Sequence, residues 1–238
     1  MRVITIIIFS ILSLLLSSCV GNVGDDYFPL QSGLKWEYKL TTTYIDETTR
    51  ELVTLENIGK ETYGENTYYV RRSSYGIDYY LNADESGVHR DALRTLVELM
   101  PRLDSSPRFV LKYPLEVGAS WQVITKPIIL LRVFPNRHLA EATQVPMIFE
   151  IVSLSETVTV PAGEFKNCIK LEALGETEIY TDGVNGYTAI PFKIEEWYAP
   201  DVGLVKQVRY ELDGEQISIA KTPIFAGGRK TLELIKFN

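Results

Sequence analysis

Side chains suited to catalysis are scarce in this chain, and those present are poorly spaced for it. Two histidines, His89 and His138, and two cysteines, Cys19 and Cys168, are the whole stock of imidazoles and thiols among 238 residues. A Ser-His-Asp site needs three converging groups and a strained turn to present its serine, yet no Gly-x-Ser-x-Gly elbow occurs. His89-Arg90-Asp91 spells a triplet used in phosphoryl-transfer loops, but no Gly-rich phosphate loop or Asp-Phe-Gly metal motif accompanies it. His138 sits in Pro135-Asn136-Arg137-His138, which reads as a solvated turn. Glu195 and Glu196 offer two carboxylates, but neighbours on a strand point to opposite faces and cannot flank one glycosidic bond. Asp25-Asp26 lack the spaced Asp/Asn ladder, glycine and terminal Glu of a calcium loop. So few His and Cys also leave little material for a zinc site. The expectation is a protein that is not an enzyme, with no catalytic residue, metal or cofactor.

Two features remain after that exclusion. Cys168 alternates with Lys166 and Lys170, a setting that lowers a thiol pKa if the ammonium groups converge on it. The simpler reading is a half-buried strand thiol, and one lone thiol in the mature chain leaves no intramolecular disulfide. The second feature is a surplus of 14 tyrosines, clustered at Tyr63, Tyr68, Tyr69, Tyr75, Tyr79 and Tyr80. Adjacent strand residues place one ring on each face, so Tyr68, Tyr69, Tyr79 and Tyr80 are the candidate aromatic contact patch. Tyrosine is also a favoured strand residue, which explains the cluster without a ligand.

The elements that must position these groups are strands. From Leu34 onward the sequence alternates: Trp36, Tyr38, Leu40, Thr42 and Tyr44 are aromatic, aliphatic or β-favouring, and the residues between them are polar. That period of two marks a half-buried strand. Similar runs cover Leu52–Lys60, Thr67–Ser74, Ile77–Asn82, Ser120–Lys126, Met147–Val160, Asn167–Thr181, Gly186–Ala199, Gly203–Leu212, Glu215–Lys221 and Lys230–Phe237. Turn residues separate them, and Asp213-Gly214 is the sharpest hairpin signal. One short helix is expected over Asp91–Leu103, where Leu93, Leu96, Val97 and Met100 follow helical spacing and Pro101 would end it. Tyr27-Phe28-Pro29-Leu30-x-x-Gly33-x-x-Trp36 recurs as Lys112-Tyr113-Pro114-Leu115-x-x-Gly118-x-x-Trp121, an offset of 85 residues. This aromatic-Pro-Leu-x-x-Gly-x-x-Trp echo (27–36 and 112–121) reads as two equivalent strand openings in one sheet, or in two curved halves of one domain. The fold class is therefore mainly β: about ten antiparallel strands in a curved sheet or open barrel, with one short helix.

The N-terminus reads as an address. Arg2 precedes an apolar run from Val3 to Leu16, shorter than the roughly 20 residues that span a bilayer as a helix and suited to a secretory signal. Leu16-Ser17-Ser18-Cys19 resembles the lipobox of bacterial lipoprotein signal peptides, which implies cleavage after residue 18 and a lipidated Cys19. Acylation by more than one chain anchors a protein stably. Val20 follows the cysteine where an inner-membrane retention signal would place Asp, so the expected location is the outer membrane, facing the periplasm. Residues 19–26 are small and acidic, as a short tether should be. Residues 27–238 then form one β-rich domain. Loss of residues 1–18 removes one base and no acid, taking the formal net charge from −7 to −8. That balance opposes nucleic-acid binding, which needs clustered Lys and Arg.

Four segments, Tyr27–Trp36, Tyr113–Trp121, Glu156–Phe165 and Glu196–Lys206, carry a wider resemblance. Together they are similar to a loose group of bacterial envelope lipoproteins and secreted proteins with long antiparallel sheets curled into an open barrel. The outline resembles the half-barrels of periplasmic lipoprotein carriers, which hold acyl chains. The resemblance implies a fold and no reaction; turn and packing residues explain each motif position. The functional expectation is a lipid-anchored envelope protein that binds an apolar ligand or an envelope protein partner on a concave face, covered by residues 84–108 or 127–146. The alternatives are a structural or assembly lipoprotein acting through surface contacts and, last, a hydrolase of envelope polymers.

Overall fold

A computed structural model describes residues 27–44, 47–130, 132–133, 144–182, 186–219 and 222–238. Cys19 with its signal and tether, His138, and the turn residues 183–185 lie outside the described residues. The described residues form thirteen strands: β1 (Lys35–Thr43), β2 (Thr48–Tyr63), β3 (Asn66–Ser73), β4 (Asp78–Asp84), β5 (Gly87–Arg94), β6 (Arg102–Lys112), β7 (Ser120–Thr125), β8 (Arg132–Val133), β9 (Val145–Val160), β10 (Gly163–Asp182), β11 (Gly186–Ala199), β12 (Gly203–Ile219) and β13 (Thr222–Phe237). Twelve of them form one antiparallel path, β6-β5-β4-β3-β2-β1-β13-β12-β11-β10-β9-β7, and the two-residue β8 pairs with β13. The end strands β6 and β7 approach one another, so the sheet curls into a nearly closed barrel. No described helix is long and apolar enough to cross a membrane.

The period-two reading of β1 holds residue by residue. Trp36, Tyr38, Leu40 and Thr42 are buried while their neighbours are half-exposed. β7 repeats the pattern with Trp121, Val123 and Thr125 buried. Alternation directs one apolar set to the inner face, and each fully buried large side chain contributes about 1.5–3 kcal/mol.

Two expectations fail. The helix over Asp91–Leu103 is absent: Asp91–Arg94 ends β5, Arg102 opens β6, and Ala92 pairs with Leu103 across the hairpin. Pairing leaves too few residues between the strands to nucleate a helix, and most of the apolar stripe stays in water. Leu96, Val97 and Met100 are instead 84%, 91% and 61% exposed. Thr95 and Glu98 close a single turn, the Glu98 carboxylate accepting from the Thr95 amide and hydroxyl. The second failure is Asp213-Gly214, which lies inside β12, not between strands. Register slips there, Glu211 facing Gly228 and Gln216 facing Ala226, so the extra residues are absorbed as an irregularity and the reversal falls beyond Ile219.

The aromatic-Pro-Leu-x-x-Gly-x-x-Trp echo corresponds to a repeated geometry. Gly33 and Gly118 adopt φ values of +89° and +88°, in the region that favours glycine. The Gly33 amide donates to Asn57 O and the Asn57 amide to Leu34 O; the Gly118 amide donates to Ile151 O and the Ile151 amide to Ala119 O. Trp36 then pairs with Leu55, and Trp121 with Phe149. Each motif opens a six-stranded meander, β1–β6 and β7 with β9–β13. The seam between β1 and β13 is hydrogen-bonded along its length, whereas the equivalent seam between β6 and β7 is not.

Burial is concentrated in two large clusters. One joins Phe28, Leu111, Trp121, Met147, Phe149, Ile151, Leu171, Ile190 and Tyr198. The other joins Trp36, Tyr38, Val53, Val160, Cys168, Val205 and Leu234.

Candidate functional site

The inner face carries charged groups among its apolar ones, and they organise the interior. Arg71 on β3 sits at an inward position and is buried, with its guanidinium 4.2 Å from the ring centres of both Phe28 and Trp36. Its Nε donates to Asn57 Oδ1 and its Nη2 to Pro29 O, both at 2.8 Å. Asn57 Nδ2 donates in turn to Pro29 O and Gln31 O. Burial pulls the Arg71 pKa down to about 10. The arrangement ties the segment before β1 into the barrel interior, where Phe28 meets Tyr198.

Beside this layer lies a cavity of about 300 Å³. Its apolar wall is Leu40, Val53, Leu55 and Leu232; Tyr38, Tyr75 and Tyr79 add rings, and Ser73, Gln207, Arg209 and Lys230 supply polar atoms. β1–β4 provide one wall and β12–β13 the other. Gln207 Nε2 is held by Glu196 Oε1 at 2.6 Å, and Tyr198 OH donates to Glu196 Oε2 at 2.7 Å. Burial raises the Glu196 pKa, opposed by those two donors and by the charge of Arg108. Tyr38 OH donates to Leu204 O.

Ile129 and Leu130 fold inward beside Arg209 and Glu211. Ile129 and Leu130 are buried, the Leu130 amide donates to Glu211 Oε2 at 2.6 Å, and Arg209 Nη2 donates to Ile128 O at 2.7 Å. Arg209 Nη2 also lies 2.8 Å from Glu211 Oε1. Of the two segments expected to cover a concave face, 84–108 is instead built mostly of β5 and β6 strand, and of 127–130 only Ile129 and Leu130 are buried, Ile128 being exposed. Residues 131 and 134–143 lie outside the described residues.

The sequence-predicted residues take separate places. Tyr69 and Tyr79 pack against the larger apolar cluster, and Tyr79 lines the cavity. Tyr68 and Tyr80 are buried edge to face at 5.9 Å in a separate cluster with Val70 and Ala92, beside the Arg94 guanidinium. The adjacent rings thus divide between faces, and the four present no common exposed patch. Cys168 is buried and its thiol donates weakly to Phe165 O; burial pushes its pKa up to about 11, with Glu156 adding to the rise. Lys166 and Lys170 are paired with Glu164 and Glu172, so they do not activate it. Register irregularities between Phe165 and Cys168, with Asn167 at φ +56°, accompany the thiol's burial. His89 stands between Asp91 Oδ1 (2.6 Å from Nδ1) and Asp84 Oδ2 (3.2 Å from Nε2), leaving neither nitrogen to activate the Ser86 hydroxyl, which donates to Asp84. Glu195 contacts Lys170 and Lys193 while Glu196 is buried, on opposite faces as strand neighbours must be. Among the described residues no three His, Cys, Asp or Glu gather as a metal ion requires.

Sequence reading missed Arg71, Arg209, Glu211 and Lys230. The available signal was parity: in Tyr69-Val70-Arg71 and Gln207-Val208-Arg209-Tyr210-Glu211 the charged residues occupy the inward positions of alternating runs.

A family model described as DUF3108-like matches residues 140–221, about a third of the chain. No curated protein matches the sequence. Two solved structures are similar in outline. One is a candidate lipoprotein from Parabacteroides distasonis, 16% identical, with a TM-score of 0.44 over 89% of this chain and 98% of that one. The other is a candidate exported protein with a YmcC-like fold from Bacteroides fragilis, 17% identical, with a TM-score of 0.41 and the same coverage.

Proposed function

We propose that this chain is a lipid-anchored protein of the bacterial cell envelope, without catalytic activity, whose barrel interior binds a small molecule through an apolar body. Cys19 supplies the membrane attachment, and the outer membrane, facing the periplasm, is its place. The cavity of about 300 Å³ between β1–β4 and β12–β13 carries this reading. Its aliphatic wall offers an apolar body shelter from water, and its few polar groups orient one end, as ligand sites generally require. Native mass spectrometry of the soluble chain beginning at Val20 tests it. A co-purifying amphiphile, or saturable uptake of a medium-chain one, is the expected result. A protein that retains its fold and binds none of them would remove the binding role.

A second reading, an assembly protein acting through its surface, is favoured by one observation. Leu96, Val97, Leu99 and Met100 stand 61–93% exposed on the β5–β6 connection, an apolar tip that water disfavours. Crosslinking from that tip in intact cells would recover a partner; recovery of monomer alone counts against it.

A further inference from the structure

We infer that the ligand of this cavity carries a negatively charged head, seated between Lys230 and Arg209, with its apolar body along Leu40, Val53, Leu55 and Leu232. This rests on the reading of the barrel interior as a binding site and adds the sign and size of what binds.

The placement of charge carries the inference. Arg209 and Lys230 are direct cross-strand partners in the β12–β13 ladder, and both line the cavity. Like charges directly opposite one another destabilise a sheet, so this pair works against the fold that holds it. The local acid does not balance them. Glu211 is fully buried; it accepts the Leu130 amide through Oε2 and faces Arg209 through Oε1. Arg209 Nε is buried without an acceptor among the described residues. Lys230 is half-buried and forms no ion pair among the described residues; Glu51 and Glu211 reach it only as more distant charges. The neighbouring Glu196 is committed to Tyr198 and Gln207, and Arg71 to Asn57, Pro29 and two rings. Among the residues that line the cavity, Arg209 and Lys230 are cations and none is a carboxylate; Glu211, Glu196 and Glu51 stand behind that lining, the first two already engaged.

An anion placed there would satisfy what the fold leaves open. Burial and mutual repulsion lower the Lys230 pKa, and burial lowers that of Arg209, which is the cost of holding both charged side by side. An anionic head reverses that cost, through an ion pair partly screened from water. A neutral head gains nothing from it, and a cationic head is repelled. The volume limits the rest: about 30 Å³ per water-sized group gives room for about ten non-hydrogen atoms. An eight-carbon chain with a carboxylate has that size.

The test is calorimetric titration of the soluble chain beginning at Val20 with octanoate, octyl phosphate, 1-octanol and octylamine. Octanoate or octyl phosphate should bind about tenfold to hundredfold tighter than octanol, as charged hydrogen bonds imply, and octylamine weakest. The better of the two anions identifies the head as carboxylate or phosphate. Lys230→Met should reduce that anion to the affinity of octanol and leave octanol unchanged, with thermal unfolding confirming that the variant is folded. Equal binding of octanol and both anions overturns the charged head and leaves the binding role standing. Tightest binding of octylamine reverses the sign and overturns it too. No binding of any probe by the folded protein overturns the binding role itself.

Discussion

Replacing Arg71 by methionine tests whether a buried guanidinium holds the segment before β1 in place. The side chain makes two charge-assisted hydrogen bonds, to Asn57 Oδ1 and Pro29 O at 2.8 Å, each contributing about 1.5–3 kcal/mol. Its two ring contacts at 4.2 Å contribute up to about 2 kcal/mol each when desolvated. Against this stands the cost of burying the charge, seen in a pKa drawn down from 12.5 to about 10, about 3 kcal/mol. Methionine keeps much of the packing between Phe28 and Trp36. Asn57 Nδ2 still serves Pro29 O, so not every acceptor is orphaned. The expected net loss is about 2–4 kcal/mol, read by chemical denaturation. Hydrogen exchange should localise it, with faster exchange of the Gly33 amide, which donates to Asn57 O. Arg71→Lys should fall between, since an ammonium cannot span both acceptors while stacked on the rings. Unchanged or increased stability of the methionine variant would refute the reasoning: burial cost would then outweigh everything the guanidinium touches.

Three further outcomes follow from the same geometry. Cys168, its pKa pushed up to about 11 and its side chain buried, should react with a thiol reagent at pH 8 about a hundredfold slower than a free cysteine, and stoichiometrically once denatured. Asp84 has a pKa lowered to about 2, chiefly by the side-chain and backbone hydrogen bonds from Ser86. It therefore favours the folded state above its ordinary pKa of 3.8, and that contribution fades as pH falls from there towards 2. Ser86→Ala should move its NMR titration upward. Gly175→Ala should destabilise the protein by about 2–3 kcal/mol in a denaturant titration, because a Cβ would lie 2.5 Å from Pro146 O on the paired strand. A neutral result would mean that β9 and β10 separate there at little cost.

How much of this could be read from the chain depends on how local the cause is. Alternation at Trp36, Tyr38 and Leu40 is a property of neighbouring residues, so β1 was legible in period and in face. The glycine turns at Gly33 and Gly118 were legible for the same reason, since positive φ is a local demand. Leu93, Leu96, Val97 and Met100 show the limit. Their helical spacing is real, but whether a stripe is buried depends on what lies opposite, and there the β5–β6 ladder prevailed. Asp213-Gly214 failed likewise: turn chemistry permits a reversal, and the register of β12 against β13 places it elsewhere.

The candidate site lay further still from the sequence. Leu40, Val53, Tyr79, Gln207 and Lys230 come from five strands spread over about four-fifths of the chain, and no spacing rule connects them. By itself the sequence determined the β class, the inward parity of β1, the scarcity of His and Cys and the paired Gly-x-x-Trp openings, because each follows from composition or a few consecutive residues. Closure of the sheet, the clamp on Arg71 and the meeting of Arg209 with Lys230 at a cavity wall were decided by tertiary structure alone. They depend on long-range pairing, which brings distant inward positions together and sets which charges must share one poorly solvated space.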